Sequence, residues 1–236
     1  MPPSPAPPPI GPLVDPRSAK RPERVTLRGR AVTLVPLDAE AHADSLFHKA
    51  NGGERDRVWT YLFDGPYADP QVFKASLAAK VQSEDPLFFA IIDNASGEAV
   101  GYQTFLRIEP AHRVIEVGNI LYTPAMQRTI GATEAQYLFA AHVFDALGYR
   151  RYEWKCNDLN APSKRAALRY GFAFEGVFRQ HMIVKGRNRD TAWFAMLDSE
   201  WPRRREAFER WLDPGNFDPA GRQKTSLMSF NTEDSK

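Results

Sequence analysis

The chain has 236 residues, 43% apolar and 12% aromatic, enough to fill a core in one large domain or two small ones. Thirty-one basic against 29 acidic side chains leave a net charge of +2, too even a balance to draw in nucleic acid or an anionic membrane by its overall field. No apolar run approaches the ~20 residues of a membrane span, and the opening "MPPSPAPPPI" lacks the basic start and apolar centre of a signal peptide. The expected location is the cytoplasm.

Residues 1–22 are rich in proline and poor in large apolar side chains, which predicts an extended tail. A domain is expected over 23–212, opening with "VTLRGRAVTLVPL", a hairpin that turns at Gly29. Asp38 precedes a helical stretch with Leu46 and Phe47 facing inward. Asp69 before Pro70 is a helix start, since a carboxylate caps free amides and proline fits the first turn. Phe73, Leu77 and Val81 recur behind it at helical spacing. "LFFAIID", "AVGYQTFLRI" and "RVIEVGNILYT" are of strand length and follow one another as a meander.

The pattern then becomes helix, strand, helix, strand, strand. Ala135, Leu138, Phe139, His142, Val143, Ala146 and Leu147 mark one helix face, which Gly148 ends. "YRRYEWKC" reads as a strand whose Cys156, the single cysteine, is an inert buried thiol; one cysteine can form neither an internal disulfide nor a multi-thiolate site, and no metal is expected. Asn160, ahead of Pro162, caps a short helix closed by Gly171. "FEGVFRQHMIV" and "TAWFAML" are joined into a hairpin through "KGRNRD". "RRRE" at 203–206 coats a helix that turns Phe208 and Trp211 inward, and 213–236 is a polar C-terminal tail. The fold class is α/β, a mixed central sheet flanked by helices, antiparallel at both ends with one parallel crossover.

"MQRTIGATEA", residues 126–135, stands where a strand gives way to a helix. About four amides are unpaired at a helix start, and the helix dipole adds roughly half a positive charge. Gly131, Ala132 and Thr133 are small enough for backbone to approach a diphosphate there, and Arg128 adds a cation. The bland alternative is a simple strand-to-helix connector. Asn160 and Ser163 at the mouth of the next helix could bond amides of an extended ligand, although Asn160 also reads as a plain cap.

"IEVGNILYTPAMQRTIGATEAQYLF" and "NAPSKRAALRYGFAFEGVFRQ" together resemble the GNAT superfamily of N-acetyltransferases, in particular the branch containing RimJ and RimL, over roughly residues 25–200. The first segment is similar to the family's fourth strand, pyrophosphate loop and following helix. The other segment resembles its asparagine helix, closing glycine-phenylalanine pair and sixth strand. The resemblance implies a GNAT acyl-CoA N-acyltransferase fold with acetyl-CoA as donor. Its pantetheine amides would bond the backbone around Ile120, Leu121 and Tyr122, and its pyrophosphate would rest on Arg128, Thr129, Ile130, Gly131, Ala132 and Thr133, with Asn160 and Ser163 nearby. Two departures stand out: Ile130 occupies the family's usual glycine position, with Gly131 one place late, and Ala167 stands where many members carry a proton-donating tyrosine.

Acetylating an amine requires it neutral, and an α-amino group with a pKa near ~8 must lose one proton. Glu116, on the strand beside the donor site, is the first candidate base. His181 is the second, with an unperturbed pKa of about 6.5. A backbone amide near Leu121 would hold the carbonyl oxygen, and Ser163 would assist the departing thiolate. Trp59, Tyr61, Phe63 and Tyr67 form an aromatic group suited to an acceptor pocket.

The expected activity is acetyl transfer to a protein N-terminus or a small amine by direct attack on the thioester. The alternative is a GNAT-fold module that binds CoA or a protein without turnover. Attachment to nucleic acid through "RRRE" or "KGRNR" is disfavoured. The subunit is expected to act as a monomer or homodimer.

Overall fold

The computed structural model describes residues 9–232; residues 1–8 and 233–236 lie outside the described set, with the start of the proline-rich segment. One sheet of eight strands organises the chain in the order β1-β2-β3-β4-β5-β6-β8-β7. The strands are β1 Leu27–Arg28, β2 Val32–Pro36, β3 Leu87–Asp93, β4 Ala99–Glu109, β5 Val114–Tyr122, β6 Arg151–Asn157, β7 Ala173–Val184 and β8 Arg187–Leu197. Only β5 and β6 pair in parallel; every other neighbouring pair is antiparallel. This is the mixed sheet expected from the sequence, antiparallel at both ends with one parallel pair.

At β3 the sheet is covered on both faces, so this strand is apolar from Leu87 to Ile92. Leu87, Phe89 and Ile91 face one core, and Phe88 and Ala90 the other. The first core packs under α3 (Ile130–Ala141), α4 (Ala161–Arg169) and α5 (Trp201–Leu212), the second under α1 (Ala39–Ala50) and α2 (Pro70–Val81). Asp38 caps α1 through Ala41 N and Asp69 caps α2 through Gln71 N, as expected of both carboxylates. Phe73 and Leu77 are buried, whereas Phe47 and Val81 are only partly so.

α3 runs on into a π-helical turn over His142–Ala146 before Gly148, at φ 78°, ends it. The wider turn rotates the face by one position, leaving Ala146 exposed and Phe144 buried instead. The β7–β8 turn is also tighter than expected. Lys185 and Gly186, both at positive φ, form a two-residue hairpin, and Arg187 to Asp190 of "KGRNRD" belong to β8.

The N-terminal segment is tied down from Ala19 onward, by Ala19 N to Pro110 O and Lys20 N to Leu147 O, both 3.0 Å. At the other end a short helix, α6 (Leu227–Thr232), inserts Leu227 into the core, and Asn231 Nδ2 donates to Arg169 O at 3.0 Å.

One buried side chain fixes the first hairpin to α3. The Glu134 carboxylate accepts from the backbone N–H of Arg30, Ala31 and Val32 at 2.9, 2.6 and 2.9 Å. A Cβ on Gly29 would fall 2.4 Å from Glu134 Oε2, so the turn must carry glycine there. Removing the carboxylate would orphan three donors. Glu134→Ala is expected to lose roughly 2–4 kcal/mol, read as a lowered urea midpoint at constant m-value, with Glu134→Gln intermediate.

Candidate active site

β5 and β6 pair from Val114↔Arg151 to Val117↔Trp154 and then part. Beyond that point β5 stays bonded to β4, while β6 stays bonded to β8 as far as Asn157↔Thr191. The facing edges of the two strands are therefore free of each other. Asn119, at φ 46°, forms a bulge against Gln103 that turns this part of β5. Leu121 buries its side chain toward α1 and α2, and Ile120 and Tyr122 pack toward α3. Tyr122 Oη donates to Gln103 Oε1 at 2.7 Å and accepts from Gln136 Nε2 at 2.7 Å, a buried network that locks β5 against α3. Gln127 Nε2 reaches back to Tyr122 O at 2.9 Å, shaping the loop that follows.

At the start of α3, Arg128 adopts φ 63° and Thr129 caps the helix, its Oγ1 accepting from Ala132 N at 3.1 Å. The amides of Arg128, Ile130 and Gly131 have no partner among the described residues. A left-handed residue ahead of a helix N-terminus makes an anion-binding concavity. The residues thus suit a diphosphate, with Arg128 rather than a glycine supplying the unusual backbone angle and Ile130 in ordinary helical geometry. Gly131 is small for another reason: a Cβ there would meet Val32 Cγ1 at 2.6 Å, so it permits α3 to lie close on β2. Ala132 is buried, and Thr133 Oγ1 accepts from Arg169 Nη1 at 2.9 Å, tying α3 to α4.

On the far wall, Asn160 Oδ1 accepts from Ser163 N at 3.1 Å, a helix cap as its sequence context allowed. Ser163 Oγ accepts from Trp154 Nε1 at 3.0 Å. Burial pushes the Cys156 thiol up, in keeping with an inert residue. Ala167 is fully enclosed in the core, and Tyr170 is likewise buried, with burial raising its phenol pKa.

The opposite face of β5, β6 and β8 carries charge. Glu116 is enclosed, its Oε2 3.0 Å from Lys155 Nζ and 3.4 Å from Arg107 Nη1, ion-paired without hydrogen-bond alignment. Burial raises its pKa, while Lys155 and Arg107 pull it down. Lys155 also meets Glu153 at 2.6 Å and lies 3.8 Å over the Trp193 ring. Arg107 is directed there by a bulge at φ 48°, held by Asp85, whose oxygens accept from Arg107 N and Ile108 N at 2.8 and 3.0 Å. A second bulge, at Gln180 (φ 50°), brings His181 Nδ1 within 3.0 Å of Thr191 Oγ1. Burial first, then Arg107, Arg189 and Lys155, lower the His181 pKa from 6.5. Glu116 and His181 thus share one cationic neighbourhood.

The aromatic group divides. Trp59 is core, its Nε1 donating to Ala50 O, and Tyr67 stacks edge-on to it. Tyr61 Oη donates to Leu159 O at 3.1 Å, and Lys185 Nζ to Trp59 O at 2.8 Å, so the 59–68 segment bridges the β6–α4 loop and the β7–β8 hairpin. Phe63, half exposed, lies against Arg189.

The sequence profile of the acetyltransferase (GNAT) domain matches residues 31–173, a span that includes the parted strands and the start of α3. The chain belongs to the GNAT acetyltransferase family. A GCN5-related N-acetyltransferase from Brucella melitensis is 52% identical, covers 91% of this chain and 97% of its own, and superposes with a TM-score of 0.89. A "probable acetyltransferases (GNAT family)" structure from Chromobacterium violaceum is 42% identical, covering 84% and 100%, with a TM-score of 0.76. The ribosomal-protein-S5-alanine acetyltransferase of Vibrio fischeri shares the fold at 15% identity, covering 75% and 98%, with a TM-score of 0.60. No curated protein matches. No helix among the described residues is long and apolar enough to cross a membrane, and no cluster of metal-ligating side chains occurs among them.

Arg107, Lys155, Arg189 and Thr191 do not stand out in the sequence of this GNAT chain. The signal for Lys155 is the alternation of "RYEWKC", which puts Arg151, Glu153 and Lys155 on one strand face. Arg189 escapes because "KGRNRD" reads as loop. The packing role of Gly131 can be checked directly. Gly131→Ala is expected to destabilise by about 1–3 kcal/mol, and Val32→Ala to recover much of that in a double-mutant cycle. Additive losses would contradict the contact.

Proposed function

We propose that this GNAT acetyltransferase moves the acetyl group of acetyl-CoA to a primary amine, of a protein N-terminus or a small molecule, by direct attack on the thioester. The observation that carries this reading is the parting of β5 and β6 beside unpartnered amides at the start of α3, with a charged cleft on the other face of the same strands. Acetyl-CoA supplies the activated acyl group and a thiol leaving group. The amides of Arg128, Ile130 and Gly131 bind its diphosphate, Thr129, Ala132 and Thr133 maintain that turn, and the edge of Ile120, Leu121 and Tyr122 takes its amide groups.

A backbone amide near Leu121 stabilises the carbonyl oxygen as charge develops, a contribution of roughly 3–4 kcal/mol in comparable sites. Ser163 aids the thiolate, with Asn160 holding the loop. A thiol of pKa about 8.5 leaves without a strong acid, so the enclosed Ala167 is compatible with turnover. The Vibrio fischeri structure lends the RimJ and RimL branch support only through its fold.

Of the two candidate bases, His181 is favoured. Glu116 is balanced by two cations, and its carboxylate organises Lys155 and Arg107. Burial and the surrounding Arg107, Arg189 and Lys155 lower the His181 pKa, which favours the neutral imidazole. In the tautomer whose Nδ1–H donates to Thr191 Oγ1, Nε2 keeps a lone pair for the amine proton. The enclosed Ala167 is the one observation that favours a non-catalytic coenzyme-binding module instead; that reading requires acetyl-CoA to bind with no amine-dependent thiol release.

Adding primary amines and peptides to the enzyme with acetyl-CoA is expected to release free thiol; a panel that releases none overturns the transferase reading. His181→Ala is expected to lower kcat/KM at least about tenfold at pH 7. The lowered His181 pKa moves its protonation to more acidic pH than that of a free imidazole, so the wild type is expected to show an acid limb of lost activity in addition to the loss caused by the amine near pH ~8. His181→Ala removes that acid limb, whereas Glu116→Gln leaves it in place. A limb that survives His181→Ala assigns the base elsewhere.

A further inference from the structure

Arg189 is only 7% exposed, yet no carboxylate among the described residues pairs with it. Its Nε donates to Thr191 Oγ1 at 3.2 Å, and its guanidinium carbon stands 5.2 Å from the Phe63 ring centroid. The two terminal Nη groups make no hydrogen bond to the protein, and neither is among the fully enclosed unpartnered atoms, so each keeps some contact with solvent. Burying a guanidinium without a counter-charge is expensive, and proteins ordinarily pair one. The neighbouring charges do not resolve this. Arg151 is taken by Glu153 and Glu175, Lys155 by Glu116 and Glu153, and Arg107 by Glu116. One cation is in surplus, and it is Arg189.

Its surroundings connect it to the reaction. Thr191, which accepts from Arg189, is the residue against which His181 rests. The Glu116 charge acts on the guanidinium, and Thr191 pairs with Asn157 at the end of β6, which places Arg189 on the strand that borders the parted edge. Phe63 comes from the segment that bridges the cleft through Tyr61.

We propose that the acceptor carries a carboxylate close to its amine and that Arg189 receives it, its planar fork matching the two oxygens. This rests on the transferase reading of the cleft. Two sources share the chemistry: the carboxylate of a free amino acid, and an acidic side chain next to a peptide N-terminus. Arg189 is then a specificity residue. The charge of the acceptor completes the ion-pair set, and an amine without it leaves a buried cation unpaired.

The test compares phenylalanine with phenylalaninamide, and the peptide amide Ser-Asp-Phe with Ser-Asn-Phe, by thiol release from acetyl-CoA. In at least one pair the carboxylate-bearing member is expected to have a kcat/KM at least tenfold higher. The pair that responds identifies the source. That ratio is expected to fall to near unity in Arg189→Gln and to be partly kept in Arg189→Lys, which retains charge but not the fork. Equal rates within both pairs of the wild type, or a preference that survives Arg189→Gln, overturn the inference while leaving acetyl transfer intact. The wild-type comparison needs no variant to fold. Calorimetry with N-acetylphenylalanine against N-acetylphenylalaninamide reads the same preference without turnover. The acetylated forms of Ser-Asp-Phe amide and Ser-Asn-Phe amide are compared in the same way; tenfold tighter binding of the acidic member of either pair supports the inference even if no amine is acetylated, and equal or absent binding within both pairs sinks it.

Discussion

The decisive constraint in this fold is that two neighbouring parallel strands stop bonding after Val117 and Trp154. A buried N–H or C=O without a partner costs about 1–3 kcal/mol, so a sheet does not open in its middle unless something holds the two halves apart. Here each half is fastened to its own side. β5 beyond Val117 is retained by the β4 ladder and by the Tyr122–Gln103–Gln136 network under α3. β6 is retained by β8 and by Trp154, which donates to Ser163 on α4. In the proposed function these two edges take the amides of the coenzyme's extended pantetheine arm.

The same opening separates two chemistries. One face of β6 sends Tyr152, Trp154 and Cys156 into the core under α3 and α4, and the other sends Arg151, Glu153 and Lys155 into the charged cleft. Alternation along a strand does this without any loop. Lys155 and Glu116 sit almost wholly out of water, and such pairs add little net stability after desolvation. Their worth lies in order: each fixes the position of the next charge. A base works best when its protonation state is set by its neighbours rather than by a strong partner. His181, the base proposed above, has a hydroxyl against Nδ1 and cations around it.

Much of this architecture is legible in the residues. The strand runs, the caps at Asp38, Asp69 and Asn160, the closing glycines at 148 and 171 and the single parallel crossover all follow from patterns a few residues long. The loop before α3 is also visible, because a polar turn ahead of an apolar helix is a local feature. The reason for Gly131 is not, since its constraint comes from Val32, roughly a hundred positions away in the chain and invisible to any window. Glu134 is hidden for the same cause. A carboxylate in an apolar helix gives no hint that three amides of a distant hairpin await it. Arg189 and Lys155 are hidden differently: a charged residue on a strand looks solvated until the opposite face and the covering segment are known.

Local backbone geometry explains why the cleft could not be drawn from periodicity. Six non-glycine residues among those described adopt positive φ, and four of them, Arg107, Asn119, Arg128 and Gln180, border the site. Each left-handed residue carries a penalty of order 1–2 kcal/mol, so each needs a grip from elsewhere. Asp85 supplies it at Arg107, and Asp190 Oδ1, accepting from Gln180 N at 2.7 Å, supplies it at Gln180. A strand with perfect alternation would point Arg107 and His181 wherever the pleat dictated. The bulges free those two side chains from the pleat, and rigid carboxylates then fix them. Replacing such residues by glycine would relieve the strain, and at Arg107 it would also remove the side chain that meets Glu116.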